Sequence, residues 1–563
     1  MWSRFGSMTI RKKFFSWTVL LLLAGLASAF AAEPTPAAGE PAQLAEKHPL
    51  QRIVLVETAE AAKEPVPADD NFIILTGGLK AINREELSSR LIMGKGRAID
   101  PLFLRDIVQV VAIYIRQSDF PLADIVIPEQ NIRDGTLRLV VTLGKLRAFK
   151  ATGNYWFSES MLQTRLGIIK GDIIRLSELE RSIAWANNTN PFRQVKVHLD
   201  PVPNTGEFDV IVGVEEQLPL RFVAGYDNTG NEILGIDRYS AALTYGNMFG
   251  RDHQLTYQFI TTREPKVFKA HSVVYQAPLS WRHIIQASAS FVNVATTFLD
   301  GFFTQKGKSV SADFKYIIPF KLTRWQGELS ANAGFRETDN NLEFSGTPVI
   351  GAITDSFIGT LSAAGIRDDS RGKWIINASV TGSPGKLNSR SGTRIYQENR
   401  IGSNPVFAHG NLLLQRSTVL ANNLVSNLRL VGQLASGNLL AGEQFSVGGA
   451  STVRGYKERI LSGDHGYMAS HELQRRIGGL SMGKRLPKLE AAGVLFWDYG
   501  RTVYKVPLGG QLKSAYLSSC GVGLRVGMGN RLSASVDVAQ QLERVEIAGE
   551  SHHRVHVKGT LSF

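Results

Sequence analysis

The last nine residues, Val555–Phe563, read Val-His-Val-Lys-Gly-Thr-Leu-Ser-Phe and alternate between apolar or small residues and polar ones. Successive side chains of a β-strand point to opposite faces, so this pattern predicts a strand with one apolar and one polar face. Leu532–Val538 and Leu255–Phe259 alternate in the same way. A soluble sandwich would show such strands, and so would a membrane barrel whose apolar face contacts lipid and whose polar face lines a wet lumen.

The length of the alternating region favours the barrel. It covers residues 218–563, and sixteen strands of about ten residues would use a little less than half of it. Eight strands would need very long loops throughout. The hydrophobic content of 43% excludes a polytopic helical membrane protein, whereas alternating strands hide their apolar residues in such an average. We therefore predict a transmembrane antiparallel β-barrel of sixteen strands.

The N-terminus has the pattern of a secretory signal peptide over residues 1–32. Basic residues at 11–13 precede an apolar run, Phe14–Leu26, and then a row of small residues that places cleavage between Ala29 and Ala32. The run is shorter than the ~20 residues that a membrane-spanning helix needs. No later run of the sequence approaches that length, so we expect the exported chain to remain in the periplasm or to enter the outer membrane as a barrel.

Two segments between the leader and the barrel each predict a small α+β domain. Residues 71–145 give the order strand, helix, helix, strand, strand, and residues 146–217 repeat it. Residues 33–70 are rich in Ala, Pro and Glu and are predicted to be a linker. The apolar positions of both domains are expected to form cores.

Another segment, Glu443–Tyr456, combines a flexible glycine pair with a single arginine. The pair Gly448-Gly449 is followed by Arg454, and about forty residues later Asp498 lies on a strand-like segment. Asp498 lies two residues after Phe496 and therefore faces the same side of the strand. Leu495, Trp497 and Tyr499 face the other side, which we take as the lipid side, so Asp498 is predicted to point into the lumen. A lone carboxylate in a narrow lumen is costly, and a guanidinium that binds it in a bidentate manner offsets the cost. These residues predict a loop held inside the barrel.

Both segments resemble the signature motifs of the TpsB family, the outer-membrane transporters of two-partner secretion within the BamA-like superfamily. The resemblance implies that residues 441–466 are loop 6, which folds back into the lumen as a latch, and that a wall motif Phe-x-Asp-x-Gly supplies its partner. The latch residues are Val453, Arg454, Gly455 and Tyr456, and the wall residues are Phe496, Asp498 and Gly500.

The segment Ala123–Leu139 resembles the POTRA signature of the haemolysin-secretion family, with Pro128, Gln130 and Gly135 in the expected places. The fold implied is therefore two POTRA domains, 71–145 and 146–217, followed by the barrel. The family also implies a plug helix near the N-terminus, for which residues 33–70 show no clear helical pattern. The final Phe563 is similar to the signal that barrel assembly machinery reads.

The resemblance implies a function as well. A TpsB protein would capture a large unfolded TpsA-type exoprotein through its POTRA domains and export it without ATP, as a monomer in the outer-membrane lipid of a Gram-negative bacterium. The alternative is a BamA- or TamA-like factor that assembles barrels, although two POTRA units, instead of three or five, argue against it. A passive porin would need neither the POTRA pair nor the loop-6 motif.

Other function classes have little support in the sequence. The net charge of +13 is dispersed and shows no basic block for nucleic acid. The His552, His553 and His556 cluster lacks nearby Cys or acidic ligands, and one Cys excludes multi-Cys metal sites. No nucleophile, zinc-protease or phosphate-binding motif is present. We therefore expect no catalytic residues, metal or cofactor.

Overall fold

The computed structural model describes residues 48–563, with the exception of 67–68, 204, 299–302, 340, 345–346, 351–352, 482, 484–486 and 545–550. The predicted signal peptide and the beginning of the predicted linker lie outside the described residues. The chain divides into two compact units between Leu218 and Pro219. Among the described residues, no helix is long and apolar enough to cross a membrane.

The first POTRA domain consists of a four-stranded sheet and two helices. Its elements are β1 Arg52–Val56, β2 Ile73–Leu75, α1 Arg84–Leu91, α2 Pro101–Gln117, β3 Ala123–Val126 and β4 Thr136–Leu143. The sheet has the order β2-β1-β4-β3, and β1 pairs in parallel with both β2 and β4. The helices pack on the sheet around a core that includes Ile53, Phe103 and Val111.

Strand β1 differs from the prediction in its place, because the sequence pattern allows a short strand at Gln51–Val56 but assigns it to the linker. In the structure this strand lies in the middle of the sheet, and four of its five residues are buried. A strand with a parallel partner on each side and both faces covered is apolar throughout and lacks alternation. The domain therefore begins well before residue 71, and Ile73–Leu75 is an edge strand.

The second POTRA domain follows the predicted order of strand, helix, helix, strand, strand. Its elements are β5 Lys145–Thr152, α3 Glu159–Leu166, α4 Leu176–Thr189, β6 Arg193–Val202 and β7 Glu207–Glu216. The sheet order is β5-β7-β6, with β5 parallel to β7, so that β5 and β6 form the two edges. Phe192 is buried in the core and Phe149 packs against it.

The second unit is a closed antiparallel barrel, and the described residues show sixteen wall strands, as predicted. A short hairpin, β15–β16, extends from the connection between two of them. The elements are β8 Leu220–Asp227, β9 Arg238–Met248, β10 His253–Thr262, β11 Phe268–Pro278, β12 Ile284–Phe298, β13 Phe303–Lys321, β14 Gln326–Asp339, β15 Asn341–Phe344, β16 Thr347–Ile350, β17 Ile353–Asp369, β18 Gly372–Ser383, α5 Thr393–Asn399, β19 Phe407–Val419, β20 Leu424–Ala435, β21 Phe445–Val447, β22 Leu461–Gly463, β23 His465–Leu480, β24 Leu489–Val503, β25 Ser514–Met528, β26 Leu532–Gln541 and β27 His553–Ser562.

Three connections at one end of the barrel matter for the site. Loop 5 is residues 384–406 and contains α5, loop 6 is residues 436–464 and contains β21 and β22, and loop 7 is residues 504–513. They follow the ninth, eleventh and thirteenth wall strands. Because antiparallel strands alternate in direction, these loops lie at the end opposite to the one where β8 begins.

The barrel closes through a short ladder between β27 and β8. The two strands pair over five residues, Val223–Asp227 of β8, whereas the other wall strands pair over eight to fifteen residues among those described. Beyond this ladder, the Phe563 N–H donates to the Phe222 carbonyl at 2.9 Å, and the two rings stack with centroids 6.3 Å apart. The proposed assembly signal therefore lies at the closing junction.

Candidate functional site

Loop 6 carries a small hairpin of its own. β21 and β22 pair in an antiparallel manner, Phe445 opposite Gly463. After β21 the chain turns through Gly448 and Gly449, whose φ angles are +107° and +101°. Residues with a side chain rarely adopt such values. A Cβ on Gly449 would also collide with the Glu458 carboxylate. The glycine pair therefore allows the tight turn that presents the next residues to the wall.

Arg454 lies against Asp498 of β24, and both are buried, with 4% and 0% of their surface exposed. The Arg454 Nε donates to Asp498 Oδ2 at 2.7 Å and Nη2 donates to Oδ1 at 2.8 Å. The Arg454 backbone N–H adds a third bond to Oδ2 at 3.2 Å. On the same strand Leu495 and Trp497 are exposed while Phe496 is buried. The structure thus brings the two predicted partners together on the inner face.

Further groups from β23, β25 and β26 surround the guanidinium. Glu472 Oε1 accepts from Arg454 Nη1 at 2.6 Å, and Asp537 lies 3.8 Å from the same nitrogen. Arg525 binds Asp537 at 2.6 Å and lies 3.5 Å from Glu472. These contacts join three carboxylates to two guanidinium groups, so the acids are in excess by one and removing Arg454 would raise that excess to two.

Phe496 and Gly500 give the wall motif its shape. The Arg454 Cζ lies 3.5 Å from the centre of the Phe496 ring, a cation–π contact. A Cβ on Gly500 would lie 2.9 Å from methyl groups of both Val447 and Val453 of loop 6. Glycine at this position is therefore what allows the loop to lie directly on the strand.

The last two latch residues contact β25 and β26 again and extend the site to β27. The Gly455 N–H donates to His556 Nε2 at 3.1 Å, and its carbonyl accepts from Gln541 Nε2 at 2.7 Å. The Tyr456 hydroxyl oxygen lies 2.7 Å from the Ser518 carbonyl oxygen and 2.5 Å from that of Glu543, so its single proton is shared between the two acceptors. Val453 and Tyr456 are fully buried in an apolar cluster with Phe445, Val447, Met468 and Leu517. Backbone and side chains together hold the tip of loop 6 against the inner wall.

The family follows from this barrel and from the sequence. The model of the haemolysin secretion/activation protein family ShlB/FhaC/HecB matches residues 206–526, more than half of the chain. The chain belongs to this family. Its members include transporters of two-partner secretion, and this TpsB-type chain is an outer-membrane protein with its POTRA domains on the periplasmic side, as in its relatives.

Two curated relatives and one solved structure show how far the TpsB likeness extends. The heme/hemopexin transporter protein HuxB of Haemophilus influenzae is 19% identical over 487 residues, which cover 84% of this chain and 83% of HuxB. The outer membrane transporter CdiB of Dickeya dadantii is 22% identical over 360 residues, 61% of each chain. The structure of CdiB from Escherichia coli aligns with a TM-score of 0.69 at 16% identity, covering 95% of this chain and 93% of that chain.

Several contacts of the TpsB latch were missed by sequence reasoning. Ser470 and Glu472 face the same side of β23, and Ser470 lies directly opposite Asp498 in the ladder. Alternation along the strand shows which side they face but does not identify Arg454 as their partner. The sequence places His556 on the polar face of the last strand and in a cluster of three histidines but gives it no partner, whereas the structure places its Nε2 against the loop backbone. The alternation of Val555, His556 and Val557 was the available signal, because it placed His556 on the lumen side.

The POTRA signature lies in the first domain, away from the latch. The Gln130 side chain acts as a substitute strand beside β4: its Oε1 accepts from the Arg138 N–H at 2.6 Å and its Nε2 donates to the Arg138 carbonyl at 2.8 Å. The Pro128 carbonyl accepts from the same Nε2 at 3.3 Å. Gly135 has a φ of +72°, and a Cβ there would lie 2.5 Å from the Pro49 carbonyl oxygen. These contacts give structural reasons for Gln130 and Gly135, whereas Pro128 contributes a backbone carbonyl that any residue would supply.

Gln130→Ala is expected to lower the free energy of unfolding of the first POTRA domain by about 1–3 kcal/mol, because two hydrogen bonds to the strand backbone are lost. Urea-dependent proteolysis of the full chain, with the barrel kept folded in detergent, measures this change. Asn131→Ala is the matched control, since that side chain accepts only one exposed turn bond, from the Arg133 N–H. Equal protease midpoints for the two variants would contradict the proposed role of Gln130.

Proposed function

We propose that this chain captures an unfolded exoprotein through its POTRA domains and exports it through its barrel without ATP. The observation that carries the proposal is the latch of a secretion-family barrel: loop 6 is attached to the inner wall by side-chain contacts around Arg454 and Asp498. Such an element can regulate a lumen, whereas a passive pore has no use for it. Folding of the exoprotein outside the cell would give direction to the transport.

The Arg454–Asp498 pair is proposed to hold loop 6 inside the barrel in the secretion-competent state. The pair is bidentate and buried, and such pairs are specific in geometry. The role is positional and not catalytic, because the surrounding residues bind one another and leave no substrate-facing nucleophile among the described residues of the site.

Capture is proposed to occur by addition of an extended substrate segment to a POTRA edge. The second domain has two edge strands, β5 and β6, and the first has β2 and β3. An edge strand offers unpaired backbone groups to an incoming strand, while neighbouring side chains select the sequence. The substrate class implied is a large TpsA-type exoprotein that arrives unfolded in the periplasm.

The experiment that tests this function is co-expression of the chain with a candidate exoprotein in a Gram-negative host that lacks both. The candidate is a very large exported protein, encoded next to this gene, that carries a two-partner secretion domain. We expect the exoprotein in the medium only when this chain is present. The same exoprotein without its secretion domain is the control and should remain in the cell.

The outcome that would replace the proposal is equally definite. If the exoprotein is never released, and removal of this chain from its own host lowers the amounts of other outer-membrane barrels, the chain is an assembly factor. If the chain only increases the entry of small solutes, it is a porin. Both results are measured in the same strains, by immunoblotting of outer membranes and by solute uptake.

A further inference from the structure

Loop 6 has a second buried charged contact at its root, away from the latch. Asp464, the residue before β23, is 0% exposed, and Arg400 of loop 5 reaches it with a side chain that is 10% exposed. The Arg400 Nη1 donates to Asp464 Oδ1 at 2.5 Å and Nη2 donates to Oδ2 at 3.0 Å. The geometry is again bidentate.

The same carboxylate also binds backbone groups of two loops. Asp464 Oδ1 accepts from the Leu439 N–H at 2.8 Å, at the start of loop 6, and Oδ2 accepts from the Lys505 N–H at 2.9 Å, in loop 7. The Arg400 guanidinium in turn donates to the Leu439 carbonyl. One carboxylate thus joins both ends of loop 6 to loop 5 and to loop 7, and each of its oxygens accepts two bonds.

Neighbouring contacts join the same three loops. Asn438 of loop 6 bonds the backbone of Val506 in loop 7 twice, at 3.0 and 3.1 Å, and forms a β-bridge with Ser403 of loop 5. Leu439 is 1% exposed and packs in an apolar cluster with Tyr396 of α5. The roots of loops 5, 6 and 7 are therefore packed together around Asp464.

We propose that Asp464 is a positioning residue that joins loops 5, 6 and 7 into one cap, independently of the Arg454 latch. The cap lies at the end of the barrel opposite to the one where β8 begins. The cap fixes both ends of loop 6, so the latch controls only the tip. This inference rests on the proposed function in that loop 6 is taken to regulate the lumen. Its test measures how well the loop roots are packed and does not measure export, so this inference and the proposed function can fail separately.

The test measures how fast a cysteine at position 439 reacts with a charged, membrane-impermeant maleimide. The full chain carries Leu439→Cys in a background in which Cys520, the native cysteine, is replaced by serine. Burial under α5 should make the thiol react slowly, because access to the thiolate limits its reactivity. Heat-modifiable migration of each variant shows that the barrel is folded.

Asp464→Asn should increase the labelling rate at least tenfold. An amide has the size of the carboxylate, but only its oxygen can accept hydrogen bonds. Its NH2 group would therefore point at a donor, either the Arg400 guanidinium or a backbone N–H, and the bonds on that side would be lost. Arg400→Lys, which cannot bond both oxygens in the same plane, provides a second and milder variant and should increase the rate at least threefold. Arg394→Ala in α5, the helix that ends just before Arg400, is the control, because its side chain is 91% exposed and its ion-pair partner is Glu398, one turn further along that helix.

Independence from the latch is measured in the same background. Arg454→Ala should change the labelling rate of the thiol at position 439 by less than twofold. The proposal is overturned if Asp464→Asn labels within twofold of the parent, or if Arg454→Ala exposes position 439 as much as Asp464→Asn does.

Discussion

Arg454→Ala is expected to abolish export while the barrel itself still folds. The change leaves buried Asp498 without the guanidinium that binds both of its oxygens and takes a direct partner from Glu472, and breaking a buried pair on one side costs about 3–5 kcal/mol. A cost of that size shifts the docking of loop 6 more than about a hundredfold, since each ~1.4 kcal/mol is a factor of ten. Secreted exoprotein is measured in the medium, and heat-modifiable migration reports the folded barrel.

Two further variants make this result specific. Lys457→Ala removes a positive charge three residues further along the same loop, where the partner Glu232 is 59% exposed, so export should remain normal. Replacing Arg454 and Asp498 together by leucine should export more than Arg454→Ala, because the uncompensated carboxylate at Asp498 is removed as well. Normal export by a folded Arg454→Ala barrel would contradict the latch.

Gly500→Val is expected to reduce export at least tenfold through a steric clash with loop 6, without any change of charge. The new side chain would occupy the space taken by Val447 and Val453, whose methyl groups already lie 2.9 Å from the position of a Cβ. Overpacking of this kind displaces the less constrained partner, which is loop 6. Limited proteolysis of loop 6 in whole cells should show faster cleavage than in the parent.

Gly527→Val is the matched control on the neighbouring strand. Gly527 also faces the lumen, but the nearest atom to its Cβ position is the Leu532 carbonyl oxygen at 3.8 Å. The same valine should therefore leave export and the cleavage of loop 6 unchanged. Equal loss of export in both variants would mean that valine disturbs the strand itself and would remove the case for a steric role of Gly500.

The sequence predicted the barrel and the inward position of Asp498 because both depend on local periodicity. Alternation along β24 separates Phe496 and Asp498 from Leu495 and Trp497, and the structure has the same division. The expectation that Arg454 meets Asp498 came from resemblance to a known family and not from spacing. The pairing itself needs the three-dimensional return of loop 6, which no local pattern contains.

The contacts that sequence reasoning missed depend on register between distant strands. Glu472 and His556 reach loop 6 because β23 and β27 are staggered as they are around the barrel. A shift of two residues would keep every apolar face and bring different side chains to the latch. The place of β1 in the middle of the first sheet was missed for a different reason, since a strand that is buried on both faces has no alternation to show which sheet it joins.

The short closing ladder between β27 and β8 has a consequence for the mechanics of the cylinder. Five residues of pairing hold this junction, together with the contacts of Phe563 to Phe222 at one end and the bonds of Asn228 to Val555 and Val557 at the other. Local opening of a protein follows the number of interactions that must break together, so thermal fluctuations of the wall concentrate there. The circumference of the barrel is therefore most easily changed at the place where the first and last strands meet, while the rest of the wall moves as a sheet.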